Sequence, residues 1–576
     1  MRRAAAWSSA VAGALVVAAA LVELSSPVAA APPSPAAPAG NSGVSDAAVA
    51  ILRVRGAKIV DGAGRVVALR GVAFGNEVWS NTRLPRRHHG EVDYQRVAGM
   101  GMNAVRFYLN YKTFLSEAVR ESDTAPAQYL ADGWQWLDDN IAWARKNGVY
   151  LVLNMHVPPG GFQSLGAGKA LWQRPDLQER FIRLWAEIAR HCRGQATIAG
   201  YDLLNEPVVT RANSQWSELA GRIAVAIRAV DPDHMLFVER VNAVAGDWAE
   251  DGERNFFTIA DPNTVYEFHF YKPFHFTHQS ASWVSFTAED VRYPDDRAEI
   301  EWFLLDRRAA TDASPKLPPG DTPWTFYPGA PFRVDDPAIV VGKPVLEVKA
   351  NSGTVFFDDL VLEELNAAGA VKRVLWKKNL TSTRGWFFWT ADGKGGAVPG
   401  HSGHGDGASL VAAGTRGDAN LGSDVLRFRT APGATYRLSG WMRGEKIPPE
   451  ASCRIRLDFF SARAPVQASD KAFLAQELDA YVEWGRRHDV PLFLGEFGAI
   501  RFAFDGDRGG LRWVGDMLDL LKARGLSFTY HAYHEDAFGI YRGGGALPDP
   551  AQANTPLIEL FKEKLARRPV GDRPGH

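Results

Sequence analysis

Cysteine is scarce in this chain: Cys192 and Cys453 are the two present in 576 residues. That excludes the disulfide framework on which small secreted domains rely. The two fall in different parts of the pattern described below, so they are expected as free, buried thiols. No histidine or cysteine cluster has zinc-ligand spacing, and neither metal nor cofactor is expected. A charge imbalance is missing too. Lys and Arg number 65 against 66 Asp and Glu, a formal −1, and a nucleic-acid partner needs a basic surface. Beyond the first thirty residues there is no long apolar run, so no later segment is expected to span a membrane.

The first thirty residues differ. MRRAAAWSSAVAGALVVAAALVELSSPVAA has a basic start, an Ala/Val-rich centre and small residues near Ala29. This is the pattern of an export signal over 1–31, and a Pro/Ala-rich linker follows over 32–47. A secreted protein, extracellular or periplasmic, is expected, monomeric and off the membrane once the leader is cut.

From residue 48 a rhythm sets in. AVRFYLN (104–110), YLVLNMH (150–156), IAGYDLLNE (198–206), HMLFVER (234–240) and TVYEFHFY (264–271) read as strands. Stretches with apolar residues at helical spacing separate them, such as LQERFIRLWAEIARHC (177–192). Strands alternating with helices imply parallel pairing, and this many units imply a closed (β/α)8 barrel, a TIM barrel. After about 285 the rhythm stops. Residues 335–465 are rich in Gly, Asp and Thr with short alternating runs such as TVFFDDLVLEEL and CRIRLDFFSA, the signature of an all-β sandwich. Helix and strand text resumes at 466–576. The sandwich thus interrupts the barrel after its sixth strand, with 286–334 as a bridge between a first barrel part, 48–285, and the last.

Polar residues recur at the strand ends: Arg106, His156, Asn205, Glu206, His269, Tyr271 and Glu496. Closure of a parallel barrel points such ends at one volume. Two facing carboxylates there suit glycoside cleavage, one protonating the leaving oxygen and the other attacking. A nearby cation keeps the attacking group ionised, and Arg106 is the candidate.

The motifs RGVAFG (70–75), NAVRF (103–107), LNMH (153–156), LLNEP (203–207), EFHFYKPFHFTHQSASW (267–283) and LGEFGA (494–499) fall in a family order. On these the barrel resembles the cellulases of glycoside hydrolase family 5. The resemblance implies Glu206 as acid/base and Glu496 as nucleophile of a retaining reaction, with carboxyls about 5–5.5 Å apart. It implies that Asn205 bonds the sugar 2-hydroxyl, that Arg106 and Tyr271 hold Glu496, and that His156 and His269 shape the subsite. It also implies a β-glucan-type polysaccharide as substrate. A β-mannan, another β-glycoside such as a glycolipid or exopolysaccharide, transglycosylation, and an inactive sugar binder remain alternatives. One departure stands out. Where the family has Trp after strand eight, SFTYHAYHE places His531, and Tyr530 or Tyr533 is expected to supply the sugar platform instead. Trp79, Trp172 and Trp283 are candidate outer stacking residues.

The insert resembles jelly-roll carbohydrate-binding modules, with its closing strand, GTVFFDDLVLEE (353–364), placed first. Trp386, Trp389 and Trp441 are its candidate platforms, and Asp358, Asp359 and Asp406 a candidate calcium site.

Overall fold

The computed structural model describes residues 50–566 apart from 86–87, 117–127, 249–252, 282, 285–290, 296–304, 311–313, 384, 406, 424–425, 463–467 and 545–546. The expected leader and linker lie outside the described residues, as does Asp406.

Eight parallel strands close into a barrel. In chain order they are β1 (Arg70–Phe74), β2 (Ala104–Asn110), β3 (Tyr150–Val157), β4 (Ile198–Asp202), β5 (Met235–Glu239), β6 (Thr264–Phe270), β7 (Leu492–Phe497) and β8 (Ser527–Tyr530). Residues of β2 to β8 are buried throughout. That is why they read as continuous apolar runs: the barrel lumen covers one face and helices the other. The helical layer comprises α1 (Glu91–Gly99), α2 (Ala131–Lys146), α3 (Pro175–Cys192), α4 (Ser214–Arg228), α5 (Lys471–His488), α6 (Gly510–Arg524) and α7 (Thr555–Leu565). Their ends follow local chemistry. Pro175 opens α3, where its missing N–H costs nothing. Asp470 accepts the N–H of Phe473 to cap α5, and Asn554 caps α7 through Leu557.

Three tryptophans pin helices to the barrel mouth. Trp185 of α3 donates to the Leu203 carbonyl at 3.0 Å, Trp216 of α4 to Glu239 at 2.8 Å, and Trp513 of α6 to Lys272 at 3.1 Å. Each buried indole thus bonds to a carbonyl at or just beyond the end of a barrel strand, and each N–H finds its partner there.

Between β6 and α5 the chain runs through two antiparallel sheets, one of six strands and one of seven. They share an apolar core that includes Leu346, Phe357, Leu362, Leu438, Ile455 and Phe459. The segment expected as a bridge, 286–334, instead supplies strands to both sheets. Leu305–Ala310 pairs with Ser452–Ala462, and Gly320–Tyr327 pairs with Thr435–Ile447. The antiparallel unit therefore begins near 305, not 335. Both cysteines are free and buried. Among the described residues no helix is long and apolar enough to cross a membrane.

Candidate active site

The barrel lumen is layered by the two-residue period of its strands. At the bottom lie Ala104, Val152, Phe237, Val265 and Phe493, an apolar floor closed beneath by Leu52 and Ile59. One step up come Arg106, Asn154, Asp202, Glu239 and Glu267, each fully buried. The next step carries Tyr108, His156, His269 and Glu496, with Asn205 and His531 from the loops beyond β4 and β8. Polar side chains thus begin halfway up the lumen and converge on its mouth.

Glu496 reaches this layer through a bulge. Leu494 pairs with Phe268 and Glu496 with His269, so two residues of β7 oppose one step of β6. Phe493 faces the lumen floor while Leu494 packs outward. Simple alternation would send Glu496 outward as well, and the extra residue, Gly495, turns it in. No side chain fits there, since a Cβ on Gly495 would lie 1.6 Å from Glu267 Oε1.

Arg106 organises the middle layer. Its Nε donates to Asp202 at 2.8 Å, its Nη1 to Glu496 Oε1 at 2.7 Å, and its Nη2 to Asn205 Oδ1 at 3.0 Å. Tyr271 donates to the other Glu496 oxygen at 2.8 Å, and Tyr108 to Oε1 at 2.5 Å. Burial pushes the Glu496 carboxyl up, but the charges of His269, His531 and Arg106 outweigh it and hold the group well below the usual carboxylate range. It is therefore ionised, with hydrogen bonds on both oxygens.

Glu206 faces it. His269 Nδ1 stands 3.1 Å from Glu206 Oε1 and 3.5 Å from Glu496 Oε2. One oxygen from each carboxylate and a nitrogen of His269 lie within 4.8 Å of one another. Burial favours neutral His269, yet the carboxyl groups of Glu239 and Glu496 reverse this and hold it well above the usual histidine range. Ser164 donates to Glu206 Oε2. A second set, Glu239, Glu267 and His269, has the composition of a metal site, but positive charge is already in place, with Arg106 Nε 3.0 Å from Glu267.

Two further polar groups complete the site. The Asn154 amide donates to Asp202 at 2.8 Å, which turns its oxygen toward His156 Nδ1 at 2.9 Å. His156 therefore carries its proton on Nδ1, and burial keeps the ring neutral. Its Nε2 has no partner and is an acceptor. Asn205 has its oxygen taken by Arg106, and its amide donates to Ser164 Oγ at 3.3 Å.

His531 occupies the expected position past β8, its Nδ1 3.1 Å from Tyr108 Oη. Tyr530 and Tyr533 do not reach the cleft. Tyr530 points outward, edge-on to Phe497 and Phe561, and Tyr533 packs near Phe74 and bonds Asp93 at 2.9 Å. Alternation along β8 explains Tyr530, since the neighbour of an inward residue faces the helices, while Tyr533 lies beyond the end of the strand. Trp172 is likewise core, buried edge-on against Trp216 with its N–H on Gln163. Trp79 and Trp283 are rim residues, each 46% exposed. Trp79 stands edge-on to His156 at 4.8 Å and His531 at 5.9 Å, and Trp283 stacks on Phe538, itself 5.5 Å from His531.

In the antiparallel unit Asp358 is already satisfied. It accepts the N–H groups of Asp359, Leu380 and His404, which leaves it a structural knot in place of a cation ligand. Trp441 has one face covered by His404 at 3.5 Å, Trp386 packs against the core, and Trp389 is exposed.

The site is thus a pair of carboxylates across the mouth of a parallel eight-stranded barrel, one of them held ionised by His269, His531 and Arg106. Residues 60–305 match the model of the cellulases, glycosyl hydrolase family 5. Endoglucanase C of Acetivibrio thermocellus is 32% identical over 218 residues, 37% of this chain and 60% of that protein. A beta-xylosidase of Phanerodontia chrysosporium is 31% identical over 287 residues, 42% of this chain and 56% of its own. The chain thus spans about 60% of the length of the curated relatives it matches. Among solved structures, an endoglucanase aligns over 86% of this chain at 14% identity with a TM-score of 0.45.

Proposed function

We propose that this protein is a secreted retaining β-glycosidase that cleaves a β-glucan-type polysaccharide by double displacement. The observation that carries the reading is the close pair Glu206 and Glu496, with oxygens inside 4.8 Å and His269 between them. Inverting enzymes leave a wider gap, about 6.5–9.5 Å, for a water molecule. Glu496 attacks the anomeric carbon as the bond to the leaving oxygen breaks, and Glu206 gives that oxygen its proton. Water then gives a proton to Glu206 and attacks the same carbon, freeing Glu496. Arg106, Tyr108 and Tyr271 hold the nucleophile, while the Asn205 amide and His156 Nε2 are placed for sugar hydroxyls. Relatives named as endoglucanase and cellodextrinase support glucan. The beta-xylosidase, and His531 where the family has Trp, keep another β-glycoside as the second reading.

The antiparallel unit reads as a jelly roll that helps hold polysaccharide, with Trp389 and Phe387 as its exposed aromatic pair. Digestion of β-1,3, β-1,4 and mixed-linkage glucans, mannan and xylan, with the anomer of the first product read by NMR, tests the whole reading. Retention with loss of activity in Glu206→Gln and Glu496→Gln is expected. An inverted product sinks the mechanism, and activity confined to mannan or xylan moves the substrate.

A further inference from the structure

Glu239 takes no part in the cycle above, yet it touches Glu206 by two routes. It ends β5, is fully buried, and its carbonyl is pinned by Trp216. Its Oε2 accepts the backbone N–H of Glu206 at 2.6 Å and lies 3.6 Å from His269 Nε2. The opposite nitrogen of that ring meets Glu206 Oε1 at 3.1 Å. The contacts close a loop: Glu239 carboxyl, Glu206 main chain, Glu206 carboxyl, His269 ring. Among the described residues Glu239 Oε1 and His269 Nε2 make no hydrogen bond, so the Glu206 N–H is the carboxyl's hydrogen-bonded tether there and the approach to His269 is an ion pair.

Glu206 needs such a loop. The β4 ladder ends at Asp202, four residues before it. Its backbone sits at φ +44°, the left-handed region that side chains with a Cβ disfavour. Main-chain bonds hold its neighbours, Asn205 N–H on the Met155 carbonyl and Asn242 N–H on the Pro207 carbonyl, whereas the N–H of Glu206 itself is held by a side chain, that of Glu239. We propose that Glu239 is a positioning residue for the acid/base, fixing the main chain of Glu206 directly and the aim of its carboxyl through His269. This rests on Glu206 being the acid/base. It goes further by assigning a buried residue on another strand to proton delivery.

A misplaced acid hurts only when the leaving group needs its proton. The test therefore uses paired aryl β-glycosides of glucose, cellobiose, mannobiose and xylobiose, as phenyl and as 2,4-dinitrophenyl derivatives. The pair that the wild type hydrolyses fastest carries the comparison. Values of kcat/KM are taken because they report the first bond cleavage. Glu239→Leu, which keeps the volume without an acceptor, and Glu239→Ala are expected to lose about tenfold or more on the phenyl substrate and less than about threefold on the dinitrophenyl one. Glu239→Gln keeps an acceptor oxygen and is expected within about threefold of wild type on both. Equal losses on the two substrates, no loss on the phenyl substrate, or a Gln variant no better than Leu overturns the inference. Glu206→Gln runs beside them. If it shows no leaving-group dependence, the acid/base reading has failed. If it does and Glu239→Leu does not, the positioning role alone has failed.

Discussion

Replacing Gly495 by alanine tests whether the bulge in β7 is what delivers Glu496. The new Cβ would lie 1.6 Å from Glu267 Oε1, 2.6 Å from its Cδ and 3.1 Å from its Cγ. The whole Glu267 carboxylate must leave, and it is fully buried with Arg106 Nε at 3.0 Å. Overpacking of this kind costs about 1–3 kcal/mol, and the loosened ion pair puts the change at the upper end, about 3 kcal/mol. For a barrel of this size that lowers the melting temperature by about 4 °C. Activity falls further, because an error of about 1 Å at a reacting group costs on the order of a hundredfold. The assay is a thermal melt together with kcat/KM on the best glucan. Glu267→Ala on its own weakens the site, but combined with Gly495→Ala it removes the clash. The double variant should therefore melt higher than the two single losses predict, by a coupling of about 1 kcal/mol or more. A Gly495→Ala variant with wild-type melting and activity, or strictly additive losses, would refute the reasoning.

Other outcomes follow from single contacts. Tyr271→Phe removes the hydrogen bond to Glu496 Oε2 at 2.8 Å, a charge-assisted bond of about 1.5–3 kcal/mol, so kcat/KM should drop about 10- to 100-fold with the melt unchanged. An unchanged kcat/KM contradicts the assignment. Trp79→Ala should raise KM about tenfold with little change in kcat, from lost indole burial against a sugar face. An effect on kcat alone would place Trp79 elsewhere. His88, His89 and His534 form a buried cluster, with His88 stacked on His534 at 4.5 Å. Burial first, then repulsion from His534, lowers His88 to about 3. A depressed histidine favours the folded state above its ordinary value near 6.5, and that stability is lost as pH falls toward 3. Between pH 6.5 and 5 the loss from His88 alone is about 2 kcal/mol, read as a lower urea midpoint. His88→Asn should flatten that slope, and an unchanged slope counts against the cluster. Burial pushes the Cys453 thiol up to about 12, and Cys192 is fully buried. Neither should react with a thiol reagent at pH 8 until the protein unfolds, and labelling of the native protein would contradict the packing.

The parts of the site that were legible in the sequence sit where an apolar run stops. His156, Asn205, Glu206, His269 and Glu496 all mark strand ends, with Arg106 inside β2 one layer below, and barrel closure brings them together. The layer beneath them was not read, because Asn154, Asp202, Glu239 and Glu267 are embedded in or beside apolar text and look like breaks in a strand. Their signal was present as phase. Arg106 and Tyr108, Asn154 and His156, and Glu267 and His269 are each two residues apart, so once one faces the lumen the other must. The same phase would have removed Tyr530, which neighbours an inward residue and so faces α7. Glu496 is the instructive exception. Its phase relative to Phe493 is wrong for an inward residue, and only the bulge at Gly495 corrects it. Pleat phase predicts the supporting layer of this barrel, but Glu496 depends on one glycine where the phase is broken. The glycine is kept small by Glu267, which belongs to the layer that the strand ends conceal. Glu496, the bulge and the buried carboxylates therefore form one packing problem, and a change to the bulge or to Glu267 is felt at Glu496.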